Sequence, residues 1–419
     1  MLAFDPNYKI GSMNSVNLTV QRELPGNIIL EVGYLGRFAR HIETSLDLNA
    51  VPFFIADLSH KSQQNFAQAF DQVATQLRNG VNPASVTPQP WFENSIGPGA
   101  TVKLATTDSG DFISAFVQSL WQNHIDPLLP NKVENQQLVG TLDIAPVGWS
   151  NYNGMFVSIN KRTSHGLTFT LNYTLSKWNS TGENSTDGGA GVPVNPFDLH
   201  YGYGPALGDR RHVISAYGVY DLPFGPGHNF TGGPLARVVE GWHWSNILTY
   251  ASGLPLFVNM GGQPFGATSF YESIPRIGPL GTSTGLHSGV AGSGGVGTAG
   301  DPANGGTGLN LFADPATAYA DFRPFLIGTD KGTSQGFIRG LSRFTWDTSL
   351  LKDIRITEKL SLKLGFDFFN VLNHPLFQDP PLNFLDRSSF GVISSQPGDP
   401  ANGDYWTARR VQVSLRLEF

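Results

Sequence analysis

The sequence predicts an all-β chain: one antiparallel sheet of the kind that closes into a membrane-spanning barrel. Three observations carry that expectation. The last nine residues set apolar Val411, Val413, Leu415, Leu417 and Phe419 between polar Gln412, Ser414, Arg416 and Glu418. The same two-residue period recurs in eight segments upstream, and the connections between segments are short and very long by turns, without exception. A period of two puts all apolar side chains on one face and all polar ones on the other. In a soluble sandwich the apolar face would pack on a core, whereas in a membrane barrel it meets lipid and the polar face lines a lumen. Terminal residues usually fray, so a strand this regular at the extreme C-terminus favours the barrel.

The composition agrees. Of the 419 residues only 14% are charged, against about 25% in soluble domains. The 49 Gly, 28 Pro and 29 Phe suit strands and elaborate loops better than helices. A net charge of -6 with no run of Lys and Arg excludes the basic surface that nucleic acid requires. The absence of Cys excludes disulfide scaffolds and thiolate metal sites. No apolar run reaches the length of a transmembrane helix. Met1-Leu-Ala-Phe-Asp-Pro6 lacks the basic start and apolar stretch of a signal peptide. An exported protein would therefore carry further sequence ahead of it.

In chain order, the alternating sets begin with Val16, Leu18 and Val20, then Ile28, Leu30, Val32 and Tyr34. Met155, Val157 and Ile159 follow. The clearest run sets Leu167, Phe169, Leu171, Tyr173 and Leu175 against Thr168, Thr170, Asn172, Thr174 and Ser176. Val213, Ser215, Tyr217 and Val219 form a less regular set. Trp242, Trp244, Leu248 and Tyr250 come next, then Phe344, Trp346, Thr348 and Leu350. Leu360, Leu362, Leu364, Phe366 and Phe368, opposite Lys363 and Asp367, precede the terminal segment. These are nine expected strands.

Three connections are tight: Leu24-Pro-Gly-Asn27, Thr163-Ser-His-Gly166 and Ile356-Thr-Glu358, with a longer fourth around Pro223-Phe-Gly-Pro-Gly227. The others run over about residues 42–150, 179–208, 252–341 and 373–408. Tight periplasmic turns opposite extended external loops are the pattern of an outer-membrane barrel, and loops this long are unusual in a compact soluble domain. Trp178, Trp242, Trp244, Trp346, Tyr405 and Trp406 fall near strand ends, where interfacial girdles would place them. Within the first loop, Phe66, Phe70, Val73 and Leu77 have helical spacing. So do Phe112, Phe116 and Leu120 with Ile113, Val117 and Trp121, which predicts short helices packed within the loop itself.

No constellation supports catalysis, a metal or a cofactor. Gly292-Ser-Gly-Gly-Val-Gly297 matches G-x-G-x-x-G but sits in a Gly/Ser/Thr tract, without the strand and helix the motif needs. The ten His residues form no paired-ligand motif. Asp209-Arg-Arg-His212 reads as polar groups opening a strand. Glu183 and Asp187 lack the spacing of a calcium loop, and no Ser sits in a nucleophile elbow.

Taken together, several segments resemble a known family. Tyr152-Asn-Gly-Met-Phe-Val-Ser-Ile-Asn-Lys-Arg162, His165-Gly-Leu-Thr-Phe169 and Tyr173-Thr-Leu-Ser-Lys177 resemble the barrel of Oar-like TonB-dependent outer-membrane transporters. Asp209-Arg-Arg-His212, Tyr220-Asp-Leu-Pro-Phe-Gly225 and Gly241-Trp242 followed by Ser252-Gly-Leu-Pro255 resemble the same barrel, and Phe369-Asn-Val-Leu-Asn-His374, Phe390-Gly391 and the final Phe419 are similar to its final strands. Asn17-Leu-Thr-Val-Gln-Arg-Glu-Leu-Pro-Gly26 is similar to a strand-turn junction of the family. The resemblance implies a 22-stranded barrel plugged by an N-terminal domain and energised through TonB. Members often carry a further carboxypeptidase-regulatory-like domain. This chain shows neither plug nor TonB box, so it is expected to be the C-terminal part of such a barrel over residues 1–419. An open nine-stranded sheet in lipid would leave about ten backbone groups unpaired at roughly 2 kcal/mol each. That exceeds the typical net stability of a domain, about 5–15 kcal/mol.

The expected function is uptake of a substrate through the bacterial outer membrane, with the loops capturing it. Asn172, Thr174, Lys363, Asp367 and Arg416 are candidates to face the lumen. Val413, Leu415, Leu417 and Phe419 resemble the recognition signal for barrel insertion. The expected partners are outer-membrane lipid, the barrel-assembly machinery and an unidentified substrate, with the TonB complex reached only through sequence outside this chain. The alternatives are a passive surface adhesin or structural barrel and a soluble all-β binding protein.

Overall fold

The computed structural model describes residues 2–132, 142–181, 193–224, 236–261, 265, 273–293, 308–330, 332, 336–357, 360–397 and 408–419. Nine long strands form one antiparallel sheet in strict chain order. They are β1 (Ser12–Leu24), β2 (Ile28–Asp47), β3 (Leu142–Ser164), β4 (Leu167–Ser180), β5 (His212–Asp221), β6 (Trp242–Ala251), β7 (Arg343–Arg355), β8 (Ser361–Phe369) and β9 (Arg410–Glu418). Two short strands join it: Leu2–Phe4 lies parallel beside the start of β3, and Gly204–Pro205 pairs with the end of β4.

Local chemistry sets the tight ends. His165 and Gly166 both have positive φ (51° and 74°), as a two-residue type I′ hairpin requires. A side chain at Gly166 would also collide with the Asp221 carbonyl. The β1–β2 turn similarly uses Gly26 and Asn27 at positive φ. All four short connections lie at one end of the sheet and all four long ones at the other.

The feet of the hairpins are staggered. Register carries Ile28, at the foot of β2, through Lys161, Phe169, Gly218 and Asn246 to Thr348, yet β7 runs on to Arg355, seven residues further. Set in one plane, feet staggered by seven residues over five strand spacings give a strand tilt of about 45°. Barrel strands tilt by about 35–45°.

Cross-strand register fixes the two faces. One carries Val20, Leu30, Val157, Leu171, Ala216, Leu248, Leu350, Leu364 and Val413 with their alternates. Two of its lysines, Lys161 and Lys352, sit near the feet, while Lys177 lies at the other end of β4. Lys161 Nζ donates to the Gly26 carbonyl and to Ser164 Oγ, both at 2.7 Å, and Lys352 Nζ donates to the Glu240 carbonyl. Long stems thus lie on apolar surface while the charges reach the turns. In β5 the expected phase is inverted: Ile214, Ala216 and Tyr220 join the apolar face, and Val213, Ser215, Tyr217 and Val219 lie on the other. The β-branched and aromatic content of both sets hid the phase, which only pairing with Leu171 and Leu248 decides. Of the expected girdle, Trp242, Trp244 and Trp346 are on the apolar face. Trp178 is on the opposite face and donates to Ser150 Oγ at 2.7 Å. Tyr405 and Trp406 lie outside the described residues.

The buried apolar cluster lies wholly in the connections, with no member in the nine strands. The first connection contributes α1 (Phe66–Arg78), α2 (Pro90–Ser95), α3 (Ala100–Thr107), α4 (Ser109–Ser114) and α5 (Val117–Leu120). The helix expected around Phe112–Trp121 is broken at Ala115, which has φ 54°, and ends in a π-helical turn over Trp121–Ile125. The helix α1 starts on a capping box between Asn65 and Gln68, which satisfies the first free amides. Its Phe66 and Phe70 pack on Trp91, Trp121 and Phe112. Val194 and Tyr201 join from the second connection, Phe265, Phe312 and Phe325 from the third, and Leu382 and Phe390 from the fourth. β2 and β3 extend beyond their expected ends near Ile42 and Ser150, to Asp47 and from Leu142. Their upper parts bury Thr44, Ser45, Asp47 and Ala145.

Phe70→Ala should therefore destabilise the loop body by about 3–5 kcal/mol and leave the sheet intact. Limited proteolysis of the variant in membranes should cut the first connection faster while the strands stay protected.

Candidate functional site

The second face of the sheet carries the polar residues. One register row runs Gln21, Glu31, Ser158, Asn172, Ser215, Thr249 and Thr345 across seven strands. The Thr249 and Thr345 hydroxyls lie 2.6 Å apart, and Thr170 donates to Asn160 at 2.8 Å. Register places Asn172, Thr174, Lys363, Asp367 and Arg416 all on this face. They form two groups. Asn172 and Thr174 belong to β4, opposite Ser158 and Phe156. Lys363, Asp367 and Arg416 belong to β8 and β9, with three strands between.

The second group is a network. Lys363 lies directly across from Arg416. Both reach Glu418, at 3.0 and 3.3 Å. Asp367 accepts from Ser349 Oγ at 2.6 Å. Asp353 of β7 stands across from Lys363 on the other side. It also meets His243 Nε2 at 3.2 Å, while His243 Nδ1 lies 2.5 Å from Asp221. A row of acidic and basic groups thus crosses β5 to β9 near the feet of the strands, with Glu418 between Lys363 and Arg416. Sequence reasoning missed Asp221, His243 and Asp353. His243 holds the polar phase between Trp242 and Trp244, a signal that was readable, but its two carboxylates come from other strands.

This face also carries apolar side chains: Tyr217 and Ile247, paired in register, are each more than half exposed. Asp209, from the Asp-Arg-Arg-His segment, is not on the face. It is buried and receives Arg339 at 2.5 Å and the Trp178 amide at 2.7 Å. That tie pins the second and third connections to the rim of the sheet.

Above the sheet, the connections are joined by buried polar contacts. Asp71 of α1 accepts from the amides of Ile327 and Gly328 at 2.8 and 2.9 Å. Arg78 donates to the carbonyls of Phe112 and Phe325 at 3.1 and 2.7 Å. Arg323 forms a bidentate pair with Asp330 at 3.0 and 2.5 Å. Burial pushes the Asp71 carboxyl up to about 7, with Asp330 adding repulsion; the two amides and Arg78 act against the rise. Burial likewise lowers the Arg78 guanidinium to about 10. Asp57 is the opposite case. Although burial works to raise it, donors from Ser62, Asn94 and Ser59 hold it far below the usual carboxylate range. The Gly292–Gly297 match lies outside the described residues from 294 onward, as do Glu183 and Asp187.

A carboxyl raised in the folded state stabilises the fold most when protonated. The contribution of Asp71 should be complete below about pH 4 and lost as pH rises through about 7. Hydrogen exchange of α1 amides should report that loss, with Arg78, Arg323 and Asp330 the charged neighbours. Asp71→Asn should flatten the dependence over this range, and an unchanged profile would exclude Asp71 as its source.

No curated protein matches. Among solved structures, the outer membrane transporter YddB from Escherichia coli aligns at 8% identity and a TM-score of 0.39, covering 98% of this chain and 33% of that one. FpvA of P. aeruginosa, solved with a pyoverdine-iron complex, aligns at 9% and 0.33, covering 98% and 27%. The chain therefore spans about a third or less of these neighbours. The family described as outer membrane beta barrel domain matches residues 1–412. A continuous sheet with one apolar face, staggered feet and no core of its own agrees with that match: the chain belongs to the outer membrane beta barrel domain family and resides in the bacterial outer membrane.

Proposed function

We propose that this chain is the C-terminal part of the barrel of an Oar-like, TonB-dependent transporter that captures a substrate too large for diffusion porins. One observation supports this reading above the others. A sheet with one apolar and one polar face carries, at a single end, four long connections fused around a common buried cluster. In this reading the apolar face meets lipid and the polar face lines an aqueous lumen. The long connections lie outside the cell, and the tight turns lie in the periplasm. Asn172, Thr174, Lys363, Asp367 and Arg416 then belong to the lumen wall. The edges β1 and β9 are exposed along almost their whole length, and among the described residues no pairing joins them. Hydrocarbon does not tolerate such edges, so further strands complete the barrel. The TonB complex would act through a plug domain encoded with those strands.

A second reading, a passive adhesin, draws support from the buried cluster of the loop body, which suits a binding surface. Proton-gradient-dependent uptake that is lost with the loops separates the two. Uptake that survives their removal would count against loop capture.

The absence of Cys makes the orientation directly testable. In whole membranes, Cys at Asn172 or Ser215 should react with a small hydrophilic maleimide, and Cys at Leu171 or Leu415 should not. Equal labelling of both faces would defeat the barrel orientation. Phe419, 97% exposed at the chain end, belongs with Val413, Leu415 and Leu417 to the proposed assembly signal. Phe419→Ser should lower the outer-membrane yield several-fold, and normal yield would remove that role.

A further inference from the structure

The apolar face is dented over β4 to β7. Gly218 contributes no side chain between Phe169 and Asn246. A Cβ there would lie 2.7 Å from both Phe169 Cβ and the Thr168 carbonyl, so the close approach of the two strands excludes any larger residue. The result is a shallow groove of about 290 Å³. Phe169, Tyr220, Trp244, Leu248 and Trp346 wall it, and Ala216 shares the floor with Gly218.

The two indole N–H groups of the walls are turned on polar neighbours within the sheet. Trp346 Nε1 donates to Asn246 Oδ1 at 3.0 Å, and Trp244 Nε1 donates to Thr348 Oγ1 at 2.7 Å. The Thr348 hydroxyl lies 3.0 Å from the same Asn246 oxygen and from the Ser245 carbonyl. The flanking backbones are paired within the sheet. A peptide strand or a sugar would find little to hydrogen-bond here. A flexible hydrocarbon chain gains close contact with aromatic and aliphatic surface on several sides.

We propose that this groove seats one acyl chain of an outer-membrane phospholipid at a fixed position, distinct from the freely exchanging lipid around it. The proposal rests on the reading that the apolar face meets lipid, and the groove is continuous with that face. The fixed chain packs across β4 to β7 where Gly218 leaves a gap in the apolar face.

The test uses the full chain, extracted from outer membranes in mild detergent and titrated with brominated phosphatidylcholine, whose bromine quenches nearby indoles. The difference between the wild-type chain and a Trp244→Phe variant isolates the signal at the groove. Quenching that saturates at equimolar lipid, and loses its saturable part in Ala216→Phe, is the expected result. Ala216 points outward between Leu171 and Leu248, so the larger ring fills the groove without entering a core. The smaller Ala216→Leu should give an intermediate loss. Quenching that rises only with the lipid-to-detergent ratio, or that Ala216→Phe leaves unchanged, would overturn the site while keeping the face in lipid. A Trp244 signal that no lipid ratio quenches would instead overturn the lipid-facing reading itself. A groove protected by concentration-dependent dimerisation would give it to a second copy and also overturn the proposal.

Discussion

Backbone pairing in hydrocarbon is the constraint on which this architecture depends. Inside a bilayer no water satisfies a free amide or carbonyl, so each strand must pair on both sides. The sheet obeys by running in strict chain order, every long strand beside the next. Its stagger matches the tilt that strands of an outer-membrane barrel take. Among the described residues only the outer edges of β1 and β9 are left without a neighbouring long strand.

That constraint divides the labour within the chain. Neither sheet face packs on a protein core, so the strands gain their order from hydrogen bonds and from a lipid-compatible surface. Burial of the familiar kind is concentrated in the connections, where Trp91, Trp121 and Phe70 are fully enclosed. The loops consequently behave as one body, tied together by Asp71 and Arg78 and pinned to the sheet by Asp209 and Arg339. A buried carboxyl such as Asp71 is held neutral more readily than an exposed one, which makes the junction between the first and third connections the pH-sensitive part of that body. A surface that must bind and still keep its shape gains from this arrangement, since its rigidity comes from a core rather than from short loops.

The polar face shows a second division. Hydroxyls and amides dominate its middle, while charges gather near the feet of β5 to β9. Lys363 meets Glu418 of the neighbouring strand, His243 lies between Asp221 and Asp353 of its two neighbours, and Arg416 meets Glu418 of its own strand. Such pairs at a partly exposed surface add little net stability; their arrangement favours the correct strand neighbours over shifted ones. The opposite face solves the reverse problem. Asn246 and Thr348, polar residues within an apolar field, satisfy one another and the indoles of Trp244 and Trp346.

Much of this was legible in the residues themselves. The two-residue period located all nine long strands, because a sheet with one apolar and one polar face imposes it strand by strand. The spacing of Phe66, Phe70, Val73 and Leu77 located α1 for the analogous reason. Residue order alone thus settled the strand positions, the end of the sheet at which the long connections emerge and the common face of Asn172, Thr174, Lys363, Asp367 and Arg416. The phase of β5, the break at Ala115, the acid-base row through His243 and the fusion of four connections around one core emerged with the folded chain. The reason is distance along the chain. Periodicity is a local property that each segment records alone, whereas Asp221 meets His243 and Asp71 meets Gly328 only when strands or loops far apart in sequence are brought together.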